Sequence, residues 1–210
     1  MIKYILGIEC PICNKQLDNK IICNTCLKQI KFIPEKNHIA SSNNFYFNKF
    51  YTLLEFNKTL KKIIHLYKFE NKRKISLVLS EIIQTRYDLD FFKEYDFIVP
   101  IPLHDKKFKK RGFNQTIKIL EQFIDQEHIF TDILKVKNTK QQSLLNSREE
   151  RKANLKNIFE IPKSKIPIIK DKKILLFDDI FTTGATLNAI AKPFFYSLAK
   201  EVNVLTIGVS

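Results

Sequence analysis

The 210-residue sequence contains no tryptophan, one methionine, four glycines and five arginines, and no cysteine after residue 26. No apolar run approaches 18 residues, so a spanning helix is not expected. The N-terminal MIKYILGIEC is too short and poorly flanked for a signal peptide. The expectation is a cytoplasmic protein with no transmembrane segment. Neither an internal repeat nor a low-complexity tract occurs. With 44% hydrophobic and 28% charged residues the chain can bury a substantial core, which excludes a disordered polymer.

Lysine is what the chain has in abundance. Five of the 36 basic residues are arginine, so 31 are lysine, and the formal charge is +14. Two readings stand side by side. One is a soluble protein with a lysine-rich face, a bias that also fits genome composition. The other is a polyanion partner: nucleic acid, a phosphorylated substrate or anionic lipid.

The four cysteines form Cys10-Pro-Ile-Cys13 and, after nine intervening residues, Cys23-Asn-Thr-Cys26. Two such knuckles can place four thiolates tetrahedrally around Zn2+. Another soft metal or an iron–sulfur centre could use the same ligands, and two disulfides or a thioredoxin-like pair are the alternatives. Disulfides would sit in a reducing compartment, and no βαβ pattern surrounds either knuckle. Zinc is therefore the expected ligand. With no open coordination position it is structural, shaping a segment of ~30 residues too short for its own core.

Residues 27–44 read as a linker, and the aromatic pieces 45–47 and 50–56 as a short hairpin. Leu60, Ile63, Ile64 and Tyr67 mark one helix, and Ile75, Leu77, Val78, Ile82 and Ile83 a second. Buried strands are expected at 96–102, 133–136, 173–177 and 202–209, with helices at about 113–126 and from Gly184. Residues 138–156 are polar and rich in arginine and glutamine. This order predicts an α/β, doubly wound, mostly parallel sheet. The expected domains are a four-cysteine zinc-binding module (1–33), a linker, hairpin and helical hood-like region (34–95), and a core (96–210).

The chemistry concentrates in Ile174-Leu-Leu-Phe-Asp178-Asp179-Ile-Phe-Thr182-Thr183-Gly184-Ala185-Thr186. An apolar strand delivers two carboxylates to its C-terminal end, where ligands of α/β sheets bind. A threonine-rich turn then opens a helix, whose free N–H groups suit a phosphate dianion. Carboxylates would repel that phosphate, so they face something else: sugar hydroxyls, directly or through Mg2+. A phosphate with a diol a few ångströms away is a ribose 5-phosphate. Aspartates capping the helix would stand at the cap, not before it.

This segment resembles the signature of type I phosphoribosyltransferases, hydrophobic-DD-hydrophobic-x-TTG-x-T. The resemblance implies that Asp178 and Asp179 hold the ribose hydroxyls of phosphoribosyl pyrophosphate (PRPP) while Thr182, Thr183, Gly184, Ala185 and Thr186 cradle its 5′-phosphate. Four further segments, in order, resemble the ComF family of DNA-uptake proteins. They are the cysteine knuckles; Leu66-Tyr-Lys-Phe69; Ile98-Val-Pro-Ile-Pro-Leu103 leading to Arg111-Gly-Phe-Asn-Gln115; and Asn138-Thr-Lys-Gln-Gln142 leading to Arg148 and Arg151-Lys-Ala-Asn154.

By this resemblance the core is a type I phosphoribosyltransferase fold. Leu103, His104 and Arg111 belong to its pyrophosphate loop, and Arg148 and Arg151 to a mobile catalytic loop. Clustered cations at Lys106, Lys107, Lys109, Lys110 and Arg111 agree with that placement, since guanidinium offers bidentate phosphate geometry. There are departures. Asn71 replaces a glycine more usual in the family, and Pro193 should kink or end its helix. The chain stops at Ser210, leaving little for a nucleobase-binding hood, and Met1-Ile2 lacks the terminal cysteine nucleophile of glutamine-dependent relatives.

Three functions follow. The resemblance implies a cytoplasmic competence factor that binds PRPP–Mg and assists single-stranded DNA entry alongside DNA-uptake machinery proteins. The motif also allows a true phosphoribosyltransferase acting on an unnamed nucleophile, or a decayed domain that only senses PRPP.

Overall fold

Strands buried on both faces read as unbroken apolar runs, and two such runs lie at the centre of the molecule. The computed structural model describes residues 8–17, 21–34, 39–40, 45–69, 72, 74–103, 105–131, 135–136 and 159–210. His104, Asn71, and the whole 138–156 stretch with Arg148 and Arg151 lie outside them.

The sheet runs β3 (Ile39–Ala40), β4 (Lys49–Glu55), β9 (Glu201–Val209), β8 (Lys173–Phe181), β5 (Phe97–Pro100), in that spatial order. The last four are mutually parallel, and β3 is an antiparallel edge. Side chains alternate across it as strand geometry requires. Ile174 and Leu176 of β8 join one apolar cluster, and Leu175 and Phe177 the other. On the first face α8 (Ala185–Tyr196) buries Leu187, Ile190, Ala191 and Phe194. On the second lie α2 (Lys58–Phe69), α3 (Ile75–Gln84), α4 (Leu89–Lys93) and α6 (Gln115–Leu120). The expected α/β sheet with helices on both faces is what the structure has.

Helix starts are set by local chemistry. The Asn57 side chain accepts from the Leu60 amide at 2.9 Å, Asp88 from Phe91 at 3.0 Å, and Asn114 from Thr116 at 3.0 Å. Among the described residues no helix is long and apolar enough to cross a membrane.

Several expectations are corrected. The aromatic pieces do not pair with each other: only the second is a strand, β4, and it pairs in parallel with β9. Asn48 does not close a turn, because its Oδ1 accepts from Val202 N–H at 2.9 Å while its own N–H donates to the Val202 carbonyl. The supposed linker is partly structured, with α1 at Asn24–Lys28 and a bridge between Phe32 and Leu54. The strand expected at 133–136 is β6 (Lys135–Val136), outside the main sheet and paired with β7 (Phe159–Glu160). Helix α6 stops at Leu120, where i→i−3 bonds tighten the chain and turn Phe123 onto Phe92, ring centroids 5.1 Å apart. Pro193 does not end α8, which continues to Tyr196. Pro193 lies so near the C-terminus that its carbonyl still accepts from Ser197.

Candidate functional site

The thiol cluster comes first in the chain. Strands β1 (Ile8–Glu9) and β2 (Gln16–Leu17) pair to present one knuckle, and α1 begins directly after Cys23 in the other. All four sulfurs lie within 4.8 Å of one another and none is in a disulfide. Cys13 and Cys23 Sγ stand 3.6 Å apart, matching the edge of about 3.8 Å of a tetrahedron with ~2.3 Å metal–sulfur bonds. Cys10, Cys23 and Cys26 are buried and Cys13 is exposed. The Cys26 amide donates to Cys23 Sγ at 3.3 Å and, outweighing burial, helps bring that thiol down to about 7, while burial raises Cys26. Four soft donors at these spacings fit a zinc ion. The module is tied to the body by Lys72, whose Nζ donates to the Pro11 carbonyl and to Asn14 Oδ1.

The second site lies at the C-terminal edge of the sheet. Strand β5 leaves β8 after Pro100 pairs Phe177, with a last bond from Ile101 N–H to the Phe177 carbonyl at 3.0 Å. Asp178 and Asp179 follow immediately, so both half-buried carboxylates stand where the sheet opens. Alternation continues the Leu175, Phe177 series to Asp179, on the side of α2. There Lys68 Nζ meets Asp179 Oδ2 at 2.5 Å, with both side chains under 20% exposed. Asp178 accepts from the Asp179 amide at 2.8 Å. Desolvation and the neighbouring Asp179 charge push Asp178 up to about 7, against the pull of that amide, Lys68 and Lys107.

Beyond Phe181 the chain turns through exposed Thr182 and Thr183 into α8. Gly184 occupies the cap with φ +69°, a left-handed conformation. A Cβ there would stand 2.8 Å from the Phe181 ring and 3.1 Å from Phe45. No other residue fits both demands. A glycine cap offers no side-chain acceptor, although Thr183 Oγ1 accepts from Ala185 N–H at 3.4 Å. The exposed Thr186 completes a threonine-lined mouth at the positive end of a 12-residue helix.

Two distant motifs converge on this edge. Arg111 ends α5 (Asp105–Arg111), where Gly112, at φ +76°, donates to the Phe108 carbonyl. The Arg111 guanidinium donates to Gln115 Oε1 at 3.1 Å and lies 5.4 Å from the Phe69 ring centroid. Burial disfavours its charge, and the Asp179 carboxylate offsets part of that. Tyr67 locks the two segments, its hydroxyl donating to the Gln115 carbonyl at 3.1 Å and its ring 5.7 Å from Phe113. Asn114 ties the same segment to the end of β5, donating to the Ile101 carbonyl at 3.0 Å. Leu103 is half-buried in the loop between β5 and α5.

Of the residues singled out from sequence, the structure brings together Asp178, Asp179 and the 182–186 turn, with Arg111 held near Asp179. Lys68 was missed as a site residue. A signal existed, since Leu60, Ile63, Ile64, Tyr67 and Lys68 share one helical stripe, and a lysine in an apolar stripe needs a partner.

No family model matches the chain. Over 95% of its length it is 32% identical to competence protein ComFC of Streptococcus pneumoniae, covering 80% of that protein. The chain belongs to the ComF family. It is also 28% identical to competence protein F of Haemophilus influenzae over 81% of this chain and 82% of the relative. A third relative is DNA utilization protein YhgH of Escherichia coli, 29% identical over 73% of this chain and 68% of that protein.

Proposed function

We propose that this protein binds PRPP with Mg2+ on a type I phosphoribosyltransferase fold and assists the entry of single-stranded DNA into the cytoplasm during natural transformation. The carrying observation is the strand–turn–helix at residues 173–196. Two carboxylates stand where the sheet opens, followed by a glycine of positive φ that frees a helix N-terminus lined with threonines. Asp178 and Asp179 face the ribose hydroxyls, directly or through Mg2+, and the 182–186 turn takes the 5′-phosphate. By the family resemblance Leu103, His104 and Arg111 are assigned to pyrophosphate binding, and Arg148 and Arg151 to catalysis. The cysteine cluster holds structural zinc. The names of the relatives, competence proteins and a DNA utilization protein, support the uptake role. The partners are then PRPP, single-stranded DNA and proteins of the uptake machinery.

The alternative is turnover, with ribose 5-phosphate passing to a nucleophile and pyrophosphate leaving. Phosphorus NMR of the protein with PRPP and Mg2+, with and without single-stranded DNA, separates the two. Broadened PRPP signals with no new pyrophosphate peak mark a binding protein. A growing pyrophosphate peak, absent in the Asp178→Asn, Asp179→Asn variant, marks an enzyme. Unperturbed PRPP signals would remove the ligand.

A further inference from the structure

Beside the acid pair the surface combines exposed rings with a dense run of cations. Phe69, the last residue of α2, is 56% exposed, and Phe108 on α5 is 50% exposed. Large exposed aromatics have no role in the core of this fold. Both rings sit among positive charge. Lys110 Nζ lies 5.7 Å from the Phe69 ring centroid and the Arg111 guanidinium 5.4 Å from it. Residues 106–111 carry five cations around Phe108, and those at 106, 107, 109 and 110 are exposed. The facing carboxylate, Asp179, is already paired with Lys68.

We infer that the end of α2 together with α5 is the track on which a single DNA strand runs, Phe69 and Phe108 stacking on bases while Lys106, Lys109 and Lys110 hold phosphates. This rests on the DNA-handling reading above and gives it a place. A single strand satisfies both halves of the surface, because its bases are free to splay onto rings while its backbone supplies regular negative charge. A duplex hides its base faces, so it could use only the lysines. The strand passes directly across the mouth of the proposed PRPP site, since Phe69 adjoins Lys68, the partner of Asp179.

A second aromatic strip provides the contrast. Tyr46 packs against Phe195 and Tyr196 of α8, the last two 55% and 64% exposed, but among the described residues only Lys192 lies over this strip, above Tyr46 and Tyr196. By charge it is the poorer match to a polyanion.

The test is fluorescence anisotropy of an end-labelled dT20 strand titrated with the full chain across a salt series. Phe69→Leu with Phe108→Leu keeps apolar bulk and removes the rings, and it should weaken binding by roughly tenfold or more at an unchanged melting temperature. Lys106→Gln, Lys109→Gln and Lys110→Gln together should reduce the slope of log affinity against log salt by about 2. Phe195→Ala with Tyr196→Ala should bind like the parent, and a duplex of equal length should bind more weakly than dT20. If the parent binds dT20 but the Phe69, Phe108 variant binds equally well, or only the α8 variant loses affinity, the track lies elsewhere and the DNA-handling reading survives. If the parent shows no salt-sensitive binding to dT20 at all, both fall.

Discussion

The thiol cluster and the sheet-edge site are built on opposite plans. The four cysteines come from 17 consecutive positions, residues 10–26, and meet because two tight turns bring them together. The acid-pair site draws on three segments: Lys68 at the end of α2, Arg111 at the end of α5, and Asp178 to Thr186 across β8 and α8. In one, three of the four cysteines are buried; the other lies at the open sheet edge, where Lys68 pairs with Asp179 and Lys107 acts on Asp178. The cysteine segment also leans on the body, since Ile12, Ile22 and Ile30 join the apolar cluster that contains Leu53, Ile63 and Leu79. An open, composite site at the strand ends has free valence left for a ligand.

The largest effect should come from breaking the closed cluster. Cys10→Ser with Cys13→Ser removes two of the four thiols proposed to hold zinc, and structural zinc sites of this type contribute on the order of 10 kcal/mol. Metal analysis should find the zinc gone, and limited proteolysis should cut within the first ~30 residues. Unchanged metal content or proteolysis would mean that the cluster is not a metal centre that holds the segment.

Next come Gly112 and Gly184, the two glycines of positive φ among the described residues, which differ in surroundings. Gly184→Ala meets both backbone strain and the Phe181 ring, so thermal melts should show a loss of about 3 kcal/mol. At Gly112 nothing lies within 4 Å of a new Cβ, and alanine there should cost only about 1 kcal/mol. Equal losses at the two positions would contradict the crowding argued for the turn.

Lys68→Gln should be milder in stability, about 1–2 kcal/mol, because Asp179 loses its partner while staying partly hydrated. Combining it with Asp179→Asn should restore part of that loss, and a strictly additive double-mutant cycle would show that the pair is not coupled.

The smallest effect concerns Asp96, far from either site. Burial raises its pKa, but bonds from Lys172 Nζ and Lys173 N–H and the Lys172 charge win, holding it below the ordinary range. The stability it adds is present above the unfolded value of about 3.9 and is lost as pH falls through the depressed folded value. Asp96→Asn should cost under about 1 kcal/mol at pH 7, since both partners are partly exposed, and nothing once the wild-type carboxyl is protonated. A loss that persisted in strong acid would point to shape rather than charge.

The same contrast explains what was readable in advance. The cysteine knuckles and the strand, turn and helix start at Asp178–Thr186 are each short in sequence, so their local structure was legible without any distant partner. Strand β4 was legible as a strand but its pairing was not, because Lys49–Glu55 meets Asn203–Val209, more than 150 positions away, and leaves no local trace. Lys68 was passed over because its partner Asp179 is also remote, more than 100 positions away, although its place on an apolar stripe was visible. Arg111 was singled out for its guanidinium, yet what fixes it is Gln115 and Phe69, one local and one distant.

The central claim is that the acid pair and the turn after it hold PRPP. Isothermal titration of PRPP with Mg2+ into the wild-type protein and into the Asp178→Asn, Asp179→Asn variant tests it most directly, with thermal melts as the folding control. The account predicts saturable binding by the wild type and none by a variant that melts like a folded protein. Equal affinity in the two proteins would contradict it.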